Sequence, residues 1–172
     1  MTIVIILAFI ICTAILLWLD RKDKDKAERT YKGISDLLSK INWNISRNHF
    51  DGKFPEMEFL SREDQDGLVS MSYKDKSDRD YIVNFYFPDH GGDKLIGVDF
   101  YLPNLSRSKL DIIFTELRGE YGEPTERHLI DAASLEWDTA NGILILETYK
   151  GGASLLGFWN KEFYQSQSED IS

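Results

Sequence analysis

An uninterrupted apolar run opens the chain. Residues 1–19 contain no charged residue, proline or glycine, and as a helix they would be about 28 Å long, close to the thickness of a bilayer's hydrocarbon core. Core helices of this length usually contain polar breaks. The run therefore predicts a single-pass transmembrane helix, about Ile3 to Leu19. The residues expected to form this anchor are Ile3, Ile6, Phe9, Ile10, Ile15, Leu17, Trp18 and Leu19.

The run is unlike a cleaved secretory signal, because no basic residue precedes it and no small-residue cleavage site closes it. A charged segment, 20–30, follows it. The positive-inside rule then predicts an inner-membrane protein with its main domain in the cytoplasm, and a periplasmic domain is the alternative. The basic residues that favour this orientation are Arg21, Lys22, Lys24, Lys26 and Arg29.

An amphipathic pattern continues the helix beyond the charged segment. Tyr31, Ile34, Leu38 and Ile41 recur at the spacing of one helical face. Four runs with strand-like patterning follow. In the third of them, large apolar residues alternate with residues that form a less apolar row. The runs are Glu56–Ser61, Leu68–Tyr73, Tyr81–Phe87 and Leu95–Leu102. They indicate an antiparallel meander.

A second helix is predicted from Leu110 to Tyr121, where apolar residues again share one face and Gly122 and Pro124 end it. Four shorter strand-like runs come after it, with Asn141-Gly142 as a strong hairpin signal. The fold class expected is α+β: one domain over 31–164, with two helices against an antiparallel sheet. The order of helix, four strands, helix, four strands suggests an arrangement in two halves. The tail 165–172 is expected to be flexible.

Charge narrows the choice of partner. From residue 30 onward the chain has 15 Lys and Arg against 25 Asp and Glu, a net charge of minus 10. Nucleic acid is therefore not expected as a partner, because phosphate binding requires a basic face. The segment 20–30 has a net charge of only plus 1, so it is a weak lipid clamp. A protein partner, if electrostatics guides it, should be basic.

Motifs for chemistry are absent from the sequence. His49, His90 and His128 lack metal-ligand spacing, Cys12 lies in the apolar run, and no serine lies in a nucleophile elbow. The glycine pairs lack phosphate-loop spacing. We therefore expect no catalytic residue, metal or cofactor, and a hydrolase with a site assembled from dispersed residues is the third hypothesis for function.

Two resemblances bear on function. The element Leu110 to Leu146, a helix that ends in Tyr-Gly-Glu-Pro followed by a tryptophan strand and a hairpin, resembles small bacterial domains of the immunity or inhibitor type. The overall layout is similar to ZipA-like single-pass division proteins, although the long Pro/Gln-rich linker of that family is missing. The first resemblance implies an immunity or inhibitor protein. The second does not imply a division role, because the linker is missing, and an envelope-assembly or division accessory factor is kept as the alternative hypothesis.

Together these patterns predict a membrane-anchored protein-binding module. Tyr86, Tyr101 and Tyr149 belong to the less apolar of the two alternating rows of their strands. These rows would lie on the face of the sheet away from the helices. Tyrosine is a favoured residue at binding hot spots. We therefore select these three as candidate protein-binding residues.

Overall fold

The computed structural model describes residues 2–50, 52–65, 67–76, 81–103, 106–128, 132–149 and 152–169, with the side chains of 13–126 and 132–167 within these ranges. The helices are α1 (Thr2–Leu38), α2 (Arg107–Tyr121) and α3 (Lys161–Glu169), with a short 3₁₀ helix at Arg47–His49. The strands are β1 (Met57–Gln65), β2 (Leu68–Asp75), β3 (Ile82–Pro88), β4 (Gly97–Leu102), β5 (Thr125–His128), β6 (Ala132–Asp138), β7 (Ile143–Tyr149) and β8 (Ser154–Trp159).

All eight strands form one antiparallel sheet in the order β1-β2-β3-β4-β8-β7-β6-β5. Each set of four consecutive strands is a meander, and the two meanders join where β4 pairs with β8. The predicted α+β class with an antiparallel sheet is therefore supported. We call the β4–β8 pair the central seam. The strand order is symmetric about it.

The large apolar residues of the strands lie on one face of the sheet and form the core there. Val83, Phe85 and Phe87 are completely buried, as expected from their alternation along β3. Helix α1 adds Ile34 to this core and α2 adds Leu117. Phe50, just after the 3₁₀ helix, completes an aromatic cluster through an edge contact with Phe85, their ring centroids being 4.5 Å apart.

Helices α1 and α2 lie side by side and run in the same direction. Lys109 Nζ at the start of α2 is 3.3 Å from Asp23 Oδ1, and the Tyr31 hydroxyl donates to Glu120 near the end of α2. A twofold axis normal to the sheet would make the two helices antiparallel. The symmetry of the strand order therefore does not extend to the helices.

The predicted transmembrane anchor is wrong on the part of the chain that the structure describes with side chains, where no helix is long and apolar enough to cross a membrane. From Thr13, where that part begins, only seven residues precede Asp20, and charged residues follow. The predictions of a signal anchor, an integral membrane protein, an inner-membrane location and a cytoplasmic orientation are corrected with it. Ile15, Leu17, Trp18 and Leu19 are between 46% and 66% exposed. The side chains of four other predicted anchor residues lie outside the described residues: Ile3, Ile6, Phe9 and Ile10.

The charged segment is part of α1 and leads into its packed region. Ala27 and Thr30 are buried, and Lys22 Nζ lies 5.2 Å from the centre of the Trp18 ring. The basic residues that the orientation argument used are all on this helix: Arg21, Lys22, Lys24, Lys26 and Arg29. Their position next to buried residues of α1 replaces the interpretation as a membrane flank.

Helix α3 was not predicted. It begins after Asn160, whose Oδ1 accepts a hydrogen bond from Phe163 N at 3.1 Å, and it continues through residues 165–169 of the expected tail. Residues 170–172 lie outside the described part. The helix packs on the face of the sheet away from the core, where the Phe163 and Trp159 rings stack with centroids 6.2 Å apart.

Candidate functional site

The face of the sheet opposite the core carries the candidate site, and we call it the open face. Its central row crosses six strands through Ser72, Asn84, Asp99, Gly157, Ile145 and Glu136. Helix α3 covers one end of this row, since the Tyr164 hydroxyl donates to Glu136 Oε2 at 3.2 Å. Lys161 Nζ also pairs with Asp138 at 2.7 Å. The other end of the row is not covered by α3.

A cavity of about 340 Å³ lies between α3 and strands β4, β8 and β7. Aromatic rings and aliphatic side chains form its walls, and the polar side-chain groups of its lining residues are two carboxyl groups, one amide, one tyrosine hydroxyl and one indole N–H. Among the described residues, no lysine, arginine or histidine lines it. The lining residues are Asp99, Ile145, Glu147, Leu155, Gly157, Trp159, Phe163, Tyr164 and Gln167.

Asp99 is the unusual group of this cavity. Its side chain belongs to a residue only 5% exposed, and its Oδ1 is buried without a hydrogen-bond partner among the described residues. Burial raises the pKa of Asp99 to about 7, the nearby charge of Glu147 acts in the same direction, and a hydrogen bond from Tyr86 opposes both. Buried polar atoms without partners are rare in folded proteins. Asp99 Oδ1 is therefore a buried acceptor whose hydrogen-bonding capacity is not used by the described residues.

Gly157 makes room for two groups that line the cavity. It pairs with Asp99 across the central seam, and a Cβ at this position would lie 2.8 Å from Asp99 Oδ1 and 2.7 Å from Trp159 Nε1. A side chain here would therefore displace the carboxyl group, the indole or both. The absence of a side chain is thus what allows Asp99 and Trp159 to approach the strand so closely.

Tyr86 contacts both Trp159 and Asp99 on the open face. Its ring stacks on Trp159 with centroids 5.1 Å apart, and Trp159 in turn stacks on Phe163. Burial, reinforced by the charge of Asp99, raises the pKa of Tyr86. The hydroxyl therefore stays protonated at neutral pH and serves as a donor to Asp99.

The other two predicted tyrosines lie on the open face beside the cavity. Tyr101 is 39% exposed and Tyr149 is 43% exposed. Tyr101 pairs with Leu155, which pairs with Glu147 on the next strand. The Tyr149 hydroxyl donates to Glu147, and this hydrogen bond raises the pKa of Tyr149 to about 12. Two exposed rings and a carboxylate thus border the cavity.

A second, larger cavity of about 590 Å³ lies between the end of α1 and β1 and β2. Most of its charged groups have partners on the protein. Lys40 pairs with Glu56 at 2.7 Å, and Asp75 Oδ2 accepts a hydrogen bond from the Tyr81 hydroxyl at 3.2 Å. None of its described lining residues has a buried side-chain oxygen or nitrogen atom without a hydrogen-bond partner, in contrast to Asp99 in the other cavity.

The histidines are not brought together. His49, at the end of the 3₁₀ helix, and His90, in the loop after β3, are both exposed, and the side chain of His128 lies outside the described residues. Within the described part of the chain, no group of three or more His, Cys, Asp or Glu residues is arranged to hold a metal ion.

Sequence reasoning missed Asp99 and Trp159. The available signal was an acidic residue in the middle of an otherwise apolar strand, Val98-Asp99-Phe100. Strand alternation alone assigns such a residue to a solvated face, whereas its burial depends on residues of neighbouring strands, with Trp159 Nε1 and Asp99 Oδ1 both close to Gly157. Comparison of the chain with protein-family models, with curated proteins and with solved structures found no match.

Proposed function

We propose that this protein is a protein-binding module that engages a basic partner through the open face of its sheet. The observation that carries the proposal is the buried Asp99 carboxyl group without a partner for Oδ1, in a cavity bordered by the exposed rings of Tyr101 and Tyr149. Tyrosine rings bury large rigid surfaces and keep a hydroxyl group for hydrogen bonding. The surface thus combines features found at binding hot spots.

Charge supports a basic partner. The chain from residue 30 onward has a net charge of minus 10, and Glu147 adds a carboxylate between the cavity and Tyr149. Long-range attraction of this kind accelerates association with a partner of opposite charge, and salt screens it. Within this class we favour an immunity or inhibitor protein, which would act by covering a basic surface of another protein.

Site-specific photo-crosslinking tests the proposal in cells that produce the protein. A photoreactive phenylalanine at position 101 or 149 should give the same crosslinked partner from both positions, and mass spectrometry should identify a protein with a basic surface. The matched control is the same residue at position 60, because Leu60 is 46% exposed but lies on the edge strand β1.

The control position should not give that product. Identical products from positions 60, 101 and 149, or no product from the last two, would contradict binding through the open face. Association of the purified pair should also slow as the salt concentration rises, because screening weakens the attraction.

A further inference from the structure

We propose that the cavity at Asp99 accepts one arginine side chain of the partner protein. The inference rests on the proposed function and names the chemical group that the open face recognises. Three properties of the cavity support it: the negative charge of its lining residues, the aromatic and aliphatic side chains of its walls, and its volume.

The charges favour a cation. Asp99 Oδ1 is buried without a hydrogen-bond partner, Glu147 is a second carboxyl group of the same cavity, and no described basic residue lines it. A buried acceptor left without a donor is energetically unfavourable, and a charged one more so. A bound cation would supply both the missing donor and the compensating charge.

The walls favour a guanidinium group over an ammonium group. Trp159, Phe163 and Tyr164 present aromatic surface, and a planar guanidinium stacks on such rings while its edge donates several hydrogen bonds. Ile145 and Leu155 offer aliphatic surface to the methylene stem, which long basic side chains commonly bury.

The size favours a single side chain. Cavities that bind small-molecule ligands have volumes of about 300–1,000 Å³, and the 340 Å³ here is near the lower limit. A side chain that enters from a protein surface needs only this space, because the rest of its residue would remain at the level of Tyr101 and Tyr149.

Binding should depend on the protonation of Asp99. The titratable groups that face it are Tyr86 on β3, Glu147 on β7 and Tyr164 on α3. Tyr86 stays protonated, so the change near neutral pH is expected at Asp99, whose pKa is about 7. A cation binds the ionised form, and its affinity should therefore rise about tenfold from pH 6 to pH 8.

The experiment is an NMR titration of the full chain with the tripeptide Gly-Arg-Gly at constant ionic strength. The matched probe is Gly-citrulline-Gly, which has nearly the same shape but no charge. We expect saturable shifts of the Trp159 indole signal with the arginine peptide, in the millimolar range, and none with the citrulline peptide. Asp99→Asn and Gly157→Ala should each weaken binding at least tenfold, the first by removing the charge and the second by displacing the Asp99 carboxyl group and the Trp159 indole.

Glu147→Gln is the second charge variant, in case Asp99→Asn does not fold, and it should also weaken binding. Equal binding of the two peptides, unchanged affinity in the folded variants, or no saturable shift with either peptide would overturn the proposal. Failure of the proposed function looks different: positions 101 and 149 would not crosslink a basic partner. A crosslinked partner whose capture is unaffected by Gly157→Ala would leave the protein-binding role in place and remove the arginine site.

Discussion

The indole ring of Trp159 lies directly over the Cα atom of Gly97, so closely that a Cβ on Gly97 would be 2.3 Å from two of its ring carbons. Gly97→Ala must therefore displace the ring. We expect a loss of about 1–3 kcal/mol in the free energy of unfolding, as for other overpacked sites. Urea denaturation measures this. Gly119→Ala is the matched control, because a Cβ there meets nothing within 4 Å on α2, and it should stabilise by about 0.5–1 kcal/mol.

Asp99 should make the stability of the protein fall as pH rises. Its pKa is 3.8 in its ordinary state and about 7 in the fold, so between these values the folded chain holds a proton that the unfolded chain has lost. Stability is therefore lost progressively from about pH 4 to pH 7 and levels off above it. Asp99→Asn should remove this loss, which amounts to about 4 kcal/mol. A stability difference between variant and wild type that stays constant from pH 4.5 to pH 8 would contradict this.

Tyr86 and Tyr101 should respond differently to truncation, although they lie on the same face. Tyr86→Ala removes a ring stacked on Trp159 and should cost about 2 kcal/mol or more. Tyr86→Phe should cost only about 1 kcal/mol, because it removes one hydrogen bond and keeps the ring. Tyr101→Ala should stay within about 0.5 kcal/mol of the wild type, as exposed substitutions usually do. Thermal melts of the three variants distinguish these outcomes.

The attachment of α3 should depend on Phe163 more than on Lys161. Phe163→Ala removes the ring that stacks on Trp159 and opens one wall of the cavity, and we expect a lower melting temperature and a shifted Trp159 indole signal. Lys161→Ala breaks an exposed ion pair with Asp138, and such pairs contribute between about 0 and 1 kcal/mol. Equal effects of the two substitutions would show that charge, and not ring stacking, holds the helix.

The strands could be predicted because their signals are local. The alternation of Val83, Phe85 and Phe87 identifies the core face of β3, and all three are buried as expected. The hairpin at Asn141-Gly142 likewise joins two real strands, β6 and β7. Turn chemistry and alternation are properties of a few neighbouring residues, so one sequence contains them.

The predictions that failed concern features that depend on contacts between residues far apart in the sequence. The sequence of α3 has few apolar residues, and its helix is fixed by the stacking of Phe163 on Trp159 and by the pairing of Tyr164 with Glu136. The predicted anchor was wrong because, in the part of the chain described with side chains, α1 has too short an apolar stretch before Asp20 and then continues into residues that pack on the domain. Asp99 could not be identified, since its burial depends on neighbouring strands, including Tyr86 on β3.

The central seam has a consequence for how the molecule assembles. Strands β4 and β8 pair residues about 50 to 60 positions apart along the chain, whereas each meander is built from neighbouring hairpins. Closing a long loop costs entropy before its contacts form, which slows such pairings. Asp99 and Gly157 lie on opposite sides of this seam. A chain with both meanders formed but not yet joined therefore lacks the cavity at Asp99, which is completed only when β4 pairs with β8.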